Sequence, residues 1–186
     1  MKPSDEHSAE LAIKNPMGFH VRPVQRFAEL ARLFQSDVEV KLRGRNVSGK
    51  SIMSLMTLGA RRGDTLLVTA RGVDARQCIG VLTFLAGNRF FVEDSLDGGG
   101  EPGRHMERLA HMASCFNSKI TVSLDERQAD AKQPDALRAL GLEPTSVPEL
   151  RIEGDDAEQA RAVLGQLCQH CYFVEDAMGK RKDRAS

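Results

Sequence analysis

Apolar residues along this 186-residue chain alternate between two spacings. Val24, Phe27, Leu30, Ala31 and Phe34 recur at intervals of three and four, which predicts an amphipathic helix over residues 21–34. Val38, Val40 and Leu42 then alternate with polar residues, as in a half-buried strand. The turn-forming Arg43-Gly44-Arg45-Asn46 leads to a second short strand around Val47, and a short helix from Ile52 to Leu58 is stopped by Gly59. Leu66, Leu67 and Val68 predict another strand. Asp74 is expected to cap a last helix with the stripe Ala75, Cys78, Ile79, Leu82, Leu85 and Ala86. With a strand near Leu11-Ala12-Ile13 in front, the order is β-α-β-β-α-β-α. That order implies an α+β open sandwich, an antiparallel sheet with helices on one face.

The pattern occurs twice. Phe90-Phe91-Val92-Glu93-Asp94 returns as Tyr172-Phe173-Val174-Glu175-Asp176, an offset of 82 residues. Without a gap, the same offset matches Arg22 with Arg104, Phe34 with Phe116, Ser36 with Ser118, Lys50 with Lys132, Leu55 with Leu137, Gly72 with Gly154, Asp74 with Asp156 and Leu82 with Leu164. Two homologous domains are therefore expected, over residues 1–89 and 90–186, joined through the glycine-rich stretch 97–103. Phe90-Phe91-Val92-Glu93-Asp94 would open the second domain as a strand. The later copy would pair with an exposed sheet edge, in the same chain or a partner.

Apolar residues make up 41% and charged residues 28%, the ordinary proportions of a soluble globular protein. Residues 1–97 carry 14 Lys/Arg against 11 Asp/Glu, and residues 98–186 carry 12 against 15, so neither half has the strong basic field that nucleic acid binding requires. The polar start Met1-Lys-Pro-Ser-Asp-Glu-His does not read as a signal peptide, and no apolar run approaches the roughly 18 residues of a membrane span. The four cysteines are accordingly expected as reduced thiols in the cytoplasm. Cys168-Gln-His-Cys171 is a lone C-x-x-C at the end of a helix, not the start where the dipole would activate a thiol. It lacks the further ligands of a closed zinc site, so incidental thiols are expected and no metal. The glycines at 98–100 and 59–63 do not fit a phosphate-cradling loop, and no nucleotide or other cofactor is expected.

The chemistry centres on Gly18-Phe19-His20-Val21-Arg22-Pro23. Pro23 suits the first turn of the helix, where its missing N–H costs nothing. His20 then stands at the mouth of that helix, before backbone N–H groups that attract an anion. Imidazole, with a reference pKa of about 6.5, is nucleophilic near neutral pH and forms a labile P–N bond. Phosphoryl transfer needs mostly positioning and charge neutralisation, which those N–H groups and the Arg22 guanidinium would supply.

These residues resemble the active-site motif of HPr, the histidine phosphocarrier of the bacterial phosphoenolpyruvate-dependent phosphotransferase system. The segment Gly49-Lys50-Ser51-Ile52-Met53-Ser54-Leu55-Met56-Thr57-Leu58-Gly59 resembles the second signature of that family, its regulatory serine segment. The resemblance covers residues 9–88 and extends to the second half through the repeat. It implies that His20 accepts a phosphoryl group from Enzyme I and passes it to Enzyme IIA-type proteins, with Arg22 holding the group. It also implies that Ser51 is the target of a serine kinase, the modified protein then meeting a regulator. Read from the residues alone, Ser51 is a helix N-cap.

Phe19, Val21, Pro23, Ile52, Met53 and Met56 are expected to form the docking surface, with methionines adapting to several partners. Phe19, Val21 and Val24 stand where the family usually has leucine, alanine and alanine, and larger side chains would narrow access to the site. In the second copy His20 aligns with Pro102, Ser51 with Gln133 and Pro23 with His105, while Arg104 keeps the arginine. The second domain is thus expected to be degenerate, a structural or partner-binding copy. The alternative to a carrier is an HPr-like regulatory binding protein, switched by the state of Ser51 or His20 and carrying no transport flux.

Overall fold

A computed structural model describes residues 5–91, 104–142 and 148–170. Contacts divide the chain into two units, residues 1–100 and 101–186.

The first unit follows the expected order. Strand β1 (Glu6–Ala12) leads to helix α1 (Val21–Arg32), then β2 (Asp37–Leu42), β3 (Arg45–Ser48), the short helix α2 (Ile52–Met56), β4 (Thr65–Arg71) and helix α3 (Ala75–Gly87). The sheet order is β1-β4-β2-β3, with every neighbouring pair antiparallel. Val38, Val40 and Leu42 of β2 and Leu66, Val68 and Ala70 of β4 are buried, while their neighbours in sequence face outward. This alternation puts one face of the sheet on Val24, Phe27, Leu30 and Ala31 of α1 and Cys78, Val81, Leu82 and Leu85 of α3. The fold is an open-faced β-sandwich, with burial of this apolar face its main driving force.

The second unit repeats this plan in its described residues: α4 (Arg104–Ser114), β5 (Lys119–Leu124), β6 (Arg127–Asp130), α5 (Pro134–Ala139), β7 (Glu149–Glu153) and α6 (Ala157–His170). Its antiparallel sheet has the order β6-β5-β7. Strands β5 and β6 lie at the 82-residue offset from β2 and β3. The repeat reaches individual bonds. Lys50 Nζ donates to the Phe34 carbonyl at 2.8 Å and Lys132 Nζ to the Phe116 carbonyl at 2.7 Å. Gly49 N–H meets the Val38 carbonyl at 2.7 Å, and Ala131 N–H the Ile120 carbonyl at 2.8 Å.

Three expectations are corrected. Helix α1 ends at Arg32, short of residue 34, with Leu33 as its C-cap. Asp74 occupies the N-cap position of α3, but its carboxylate makes no cap bond; it accepts from the loop between α1 and β2 instead. Residues 90–91 do not open a strand. Arg89–Phe91 form a tight turn after α3, and Phe90 is wholly buried in the first unit. The division between units falls ten residues after Phe90, at 100/101. Residues 92–94, the joining stretch 97–103, and 172–176 with its expected edge pairing lie outside the described residues.

Candidate functional site

The loop that carries His20 is fixed from both sides. After β1, Ile13 N–H donates to the Asp64 carbonyl at 2.8 Å, and Gly18 N–H closes a turn on the Asn15 carbonyl at 2.9 Å. Gly18 has a φ of +71°, and a Cβ there would stand 2.7 Å from the Ala60 carbonyl oxygen, so only glycine fits. Phe19 N–H then bonds that same carbonyl at 2.9 Å. The Phe19 side chain turns inward, 4% exposed. Its ring lies edge-on to Phe27 at 5.8 Å and tilted against Phe90 at 5.2 Å.

His20 follows as the N-cap of α1, in extended backbone (φ −82°, ψ −172°). Its carbonyl accepts the Val24 N–H at 3.0 Å, while its imidazole makes no cap bond and is partly exposed. Pro23 has no N–H to offer, which leaves the Val21 and Arg22 amides as the open donors of the first turn. That turn holds no acidic side chain. Arg22 is exposed and has no ion pair or hydrogen bond among the described residues, so its guanidinium is available to an anion.

Helix α2 connects this end of α1 to the other. Its entry is tied to the C-terminal end of α1, where Arg32 Nε donates to the Lys50 carbonyl at 2.7 Å and Lys50 Nζ to Phe34. Its exit leads through Gly59 to Ala60, on which Phe19 is hung. Ser51 N-caps α2, its Oγ accepting from Ser54 N–H at 3.2 Å and paired with the Ser54 hydroxyl at 2.9 Å. Ser51 thus belongs to the far end of α1 from His20. The helix between them is roughly 18 Å long at 1.5 Å per residue.

The expected docking residues separate into two groups. Val21 is 57% and Met53 78% exposed, Met56 is exposed and Ile52 half-buried. Phe19 and Pro23 are buried and present no side chain to a partner. Val24 is buried as well. Two of the three enlarged residues therefore fill the core under the site, and only Val21 enlarges its surface. Met17, which the sequence reading passed over, is 79% exposed three positions before His20. Its signal was a large apolar residue inside the turn formed by Pro16 and Gly18.

With this geometry established, comparison with known proteins is decisive. A family model described as the PTS HPr component phosphorylation site matches residues 7–86 and, a second time, residues 100–170. The chain belongs to the HPr family. HPr proteins are the phosphocarrier family of the phosphotransferase system, and this chain holds two HPr segments in tandem. The phosphocarrier protein HPr of Xylella fastidiosa (strain Temecula1) is 35% identical over 81 residues, which are 44% of this chain and 91% of that protein. The multiphosphoryl transfer protein of Xanthomonas campestris pv. campestris is 41% identical over 66 residues, 36% of this chain but only 8% of that protein. Among solved structures, HPr-C-His from Thermoanaerobacter tengcongensis is 33% identical, with 45% of this chain and 94% of that one covered and a TM-score of 0.44.

The second HPr segment has a different surface. Met53 and Met56 align with Asp135 and Arg138. Arg138 pairs with Asp135 at 2.7 Å and with Glu107 at 2.5 Å, so charged groups replace the methionines. Gln133, at the place of Ser51, is the N-cap of α5 without a side-chain cap bond. Pro102 lies outside the described residues, as do the side chains of Arg104, His105 and Cys168 and the whole of Cys171. No helix among the described residues is long and apolar enough to cross a membrane.

Proposed function

We propose that the first HPr segment is a working phosphocarrier, with His20 as acceptor, Enzyme I as phosphoryl donor and Enzyme IIA-type proteins as recipients in the cytoplasm. One observation carries this reading. The single histidine of the family motif stands partly exposed at the mouth of α1, beside two open amides and an exposed Arg22 that has no partner among the described residues. Phosphorus bonds to the imidazole nitrogen as its bond to the donor breaks, and onward transfer reverses the exchange at a new acceptor. The Val21 and Arg22 amides and the Arg22 guanidinium would neutralise the charge of the transferring group. An exposed helix terminus contributes about 0.3–1 kcal/mol to an anion, a hold weak enough for a group that must leave again. Met17, Val21, Met53 and Met56, with half-buried Ile52, supply the adaptable apolar contact that successive partners require.

The test is labelling of the full chain with phosphoenolpyruvate and Enzyme I. One acid-labile phosphoryl group per chain is expected, lost in His20→Ala. Arg22→Ala should fold normally and accept the group more slowly. Equal labelling of the His20→Ala protein would refute the assignment, and unchanged kinetics in Arg22→Ala would remove the arginine from it.

The regulatory alternative draws on Ser51, whose hydroxyl already caps α2 and would place an added phosphate at the same helix mouth. Under that reading, a serine kinase acts on Ser51 and the modified protein binds a regulator. Partner capture by the Ser51-phosphorylated chain, with no onward transfer from His20, would favour it.

A further inference from the structure

The His20 loop rests on a turn of unusual backbone. Arg89 and Phe90 follow α3 with φ of 51° and 59°, two consecutive non-glycine residues in left-handed conformation. Such a pair persists only where its surroundings hold it. Two of the contacts that hold it lead to the His20 loop. Asn15 Nδ2 donates to the Arg89 carbonyl at 2.9 Å, and the buried Phe90 ring lies 5.2 Å from that of Phe19. Asn15 also carries the turn itself, since its own carbonyl accepts the Gly18 N–H. The Asn15 side chain is buried, and its Oδ1 has no partner among the described residues. An unpaired buried acceptor weakens a fold, so the contribution of this amide is the fixed bond to Arg89.

We propose that Asn15 and Phe90 are positioning residues for phosphoryl transfer on His20. Through the Asn15–Gly18 turn and through Phe19, they hold the backbone from which the imidazole is aimed at its donor. The proposal rests on the reading of His20 as acceptor. Neither residue touches the reacting atoms; each acts through the residue that precedes or supports His20. The residues that follow α3 are thus joined directly to the loop that carries His20.

The test uses the full chain with Asn15→Ala, Phe90→Ala and the conservative Phe90→Leu. Phe34→Ala serves as a control, cutting the same core beyond the other end of α1. Steady-state labelling by phosphoenolpyruvate and Enzyme I is measured together with the NMR resonances of the His20 ring. Asn15→Ala and Phe90→Ala should lower kcat by about tenfold with KM within about twofold, the mark of lost orientation rather than lost binding. Phe90→Leu should recover most of the rate. The His20 ring resonances should move in the first two variants and stay in place in Phe34→Ala. Native kcat with unmoved resonances would overturn the proposal, as would an equal loss in Phe34→Ala. Where Phe90→Ala does not fold, Asn15→Ala carries the same comparison. Failure of the wild-type chain to label would refute the acceptor reading itself, and the ring resonances would still decide whether Asn15 and Phe90 set the His20 geometry.

Discussion

Asp74 and Ser36 are clasped across the first unit. The Asp74 carboxylate accepts the Gln35 N–H at 2.7 Å, the Ser36 N–H at 2.9 Å and the Ser36 hydroxyl, thereby joining the start of α3 to the loop between α1 and β2. Asp156 repeats this with Asn117 N–H at 2.7 Å, Ser118 N–H at 2.8 Å and the Ser118 hydroxyl. Gly72 belongs to the same arrangement, because a Cβ there would stand 2.5 Å from Ser36 Oγ. The clasp is thus kept by both units, whereas the histidine proposed as acceptor is present in one.

Removing the carboxylate leaves three donors without it in a buried place. Asp74→Ala should destabilise the first unit by about 3 kcal/mol, since hydrogen bonds to a charged group are worth more than neutral ones and the loss strands buried donors. Asp156→Ala should act in the same direction on the second unit, by less, because Asp156 is more exposed. Urea denaturation followed by amide hydrogen exchange in each unit measures both. A loss under about 1 kcal/mol in Asp74→Ala would show that water replaces the clasp.

The two HPr segments differ at the positions proposed for docking, Met53 and Met56 against Asp135 and Arg138, and that difference can be transplanted. Giving the first segment the charges of the second, Met53→Asp with Met56→Arg, should leave stability nearly unchanged because Met53 and Met56 are exposed. Labelling by Enzyme I should fall at least tenfold through a higher KM, since the apolar contact is lost and charges must be desolvated against a partner built for methionine. Steady-state labelling by a fixed amount of Enzyme I across concentrations of the chain reads this directly, and an unaltered KM would place the donor elsewhere on the surface.

At Ser51, capping and regulation predict different things. Ser51→Ala should cost about 1 kcal/mol through loss of the α2 cap, whereas Ser51→Asp retains a good N-cap and should cost less than half of that. If modification of Ser51 regulates docking, Ser51→Asp should slow labelling of His20 despite its native stability, and Ser51→Ala should not. Thermal unfolding and labelling measured on the same preparations separate the two roles. Equal labelling rates in both variants would leave Ser51 as a cap alone.

Much of the fold could be read from periodicity, because α1, β2 and β4 each bury one face and repeat accordingly. The site could be read where chemistry is local: glycine at φ +71°, histidine at the N-cap and proline in the first turn are sequence-specific requirements. Side-chain direction in the loop was not legible. Phe19 precedes the helix and belongs to no repeating pattern, so nothing in the sequence reveals that it points into the core. Phe90-Phe91-Val92 has the composition of a strand, yet Phe90 is drawn into a left-handed turn by burial against Phe19, a tertiary preference outweighing a local one. Asp74 has the identity and place of a cap, and its carboxylate is claimed instead by donors 38 residues earlier in the chain, a partner that only the folded chain supplies.

Cys78 gives the fold a dependence on alkaline pH. Its side chain is buried on α3, and burial first, then the nearby Asp74 charge, pushes the thiol up from 9.0 to about 12. The folded protein therefore keeps a proton that the unfolded chain releases above its ordinary value of 9.0. The stability linked to Cys78 is complete below pH 9.0 and is lost as pH rises from there toward about 12. Cys115, raised to about 11 by burial, adds to the same slope in the second unit. Cys78→Ala should be less stable than wild type at pH 7.5, from the small cavity it leaves, by about 1 kcal/mol. By pH 10.5 the gap should narrow, since the variant no longer has a thiol to ionise on unfolding. Urea midpoints of the first unit at the two pH values measure it. A constant gap would mean that the Cys78 thiolate is tolerated inside the fold, and that burial between α3 and the sheet does not keep the group protonated.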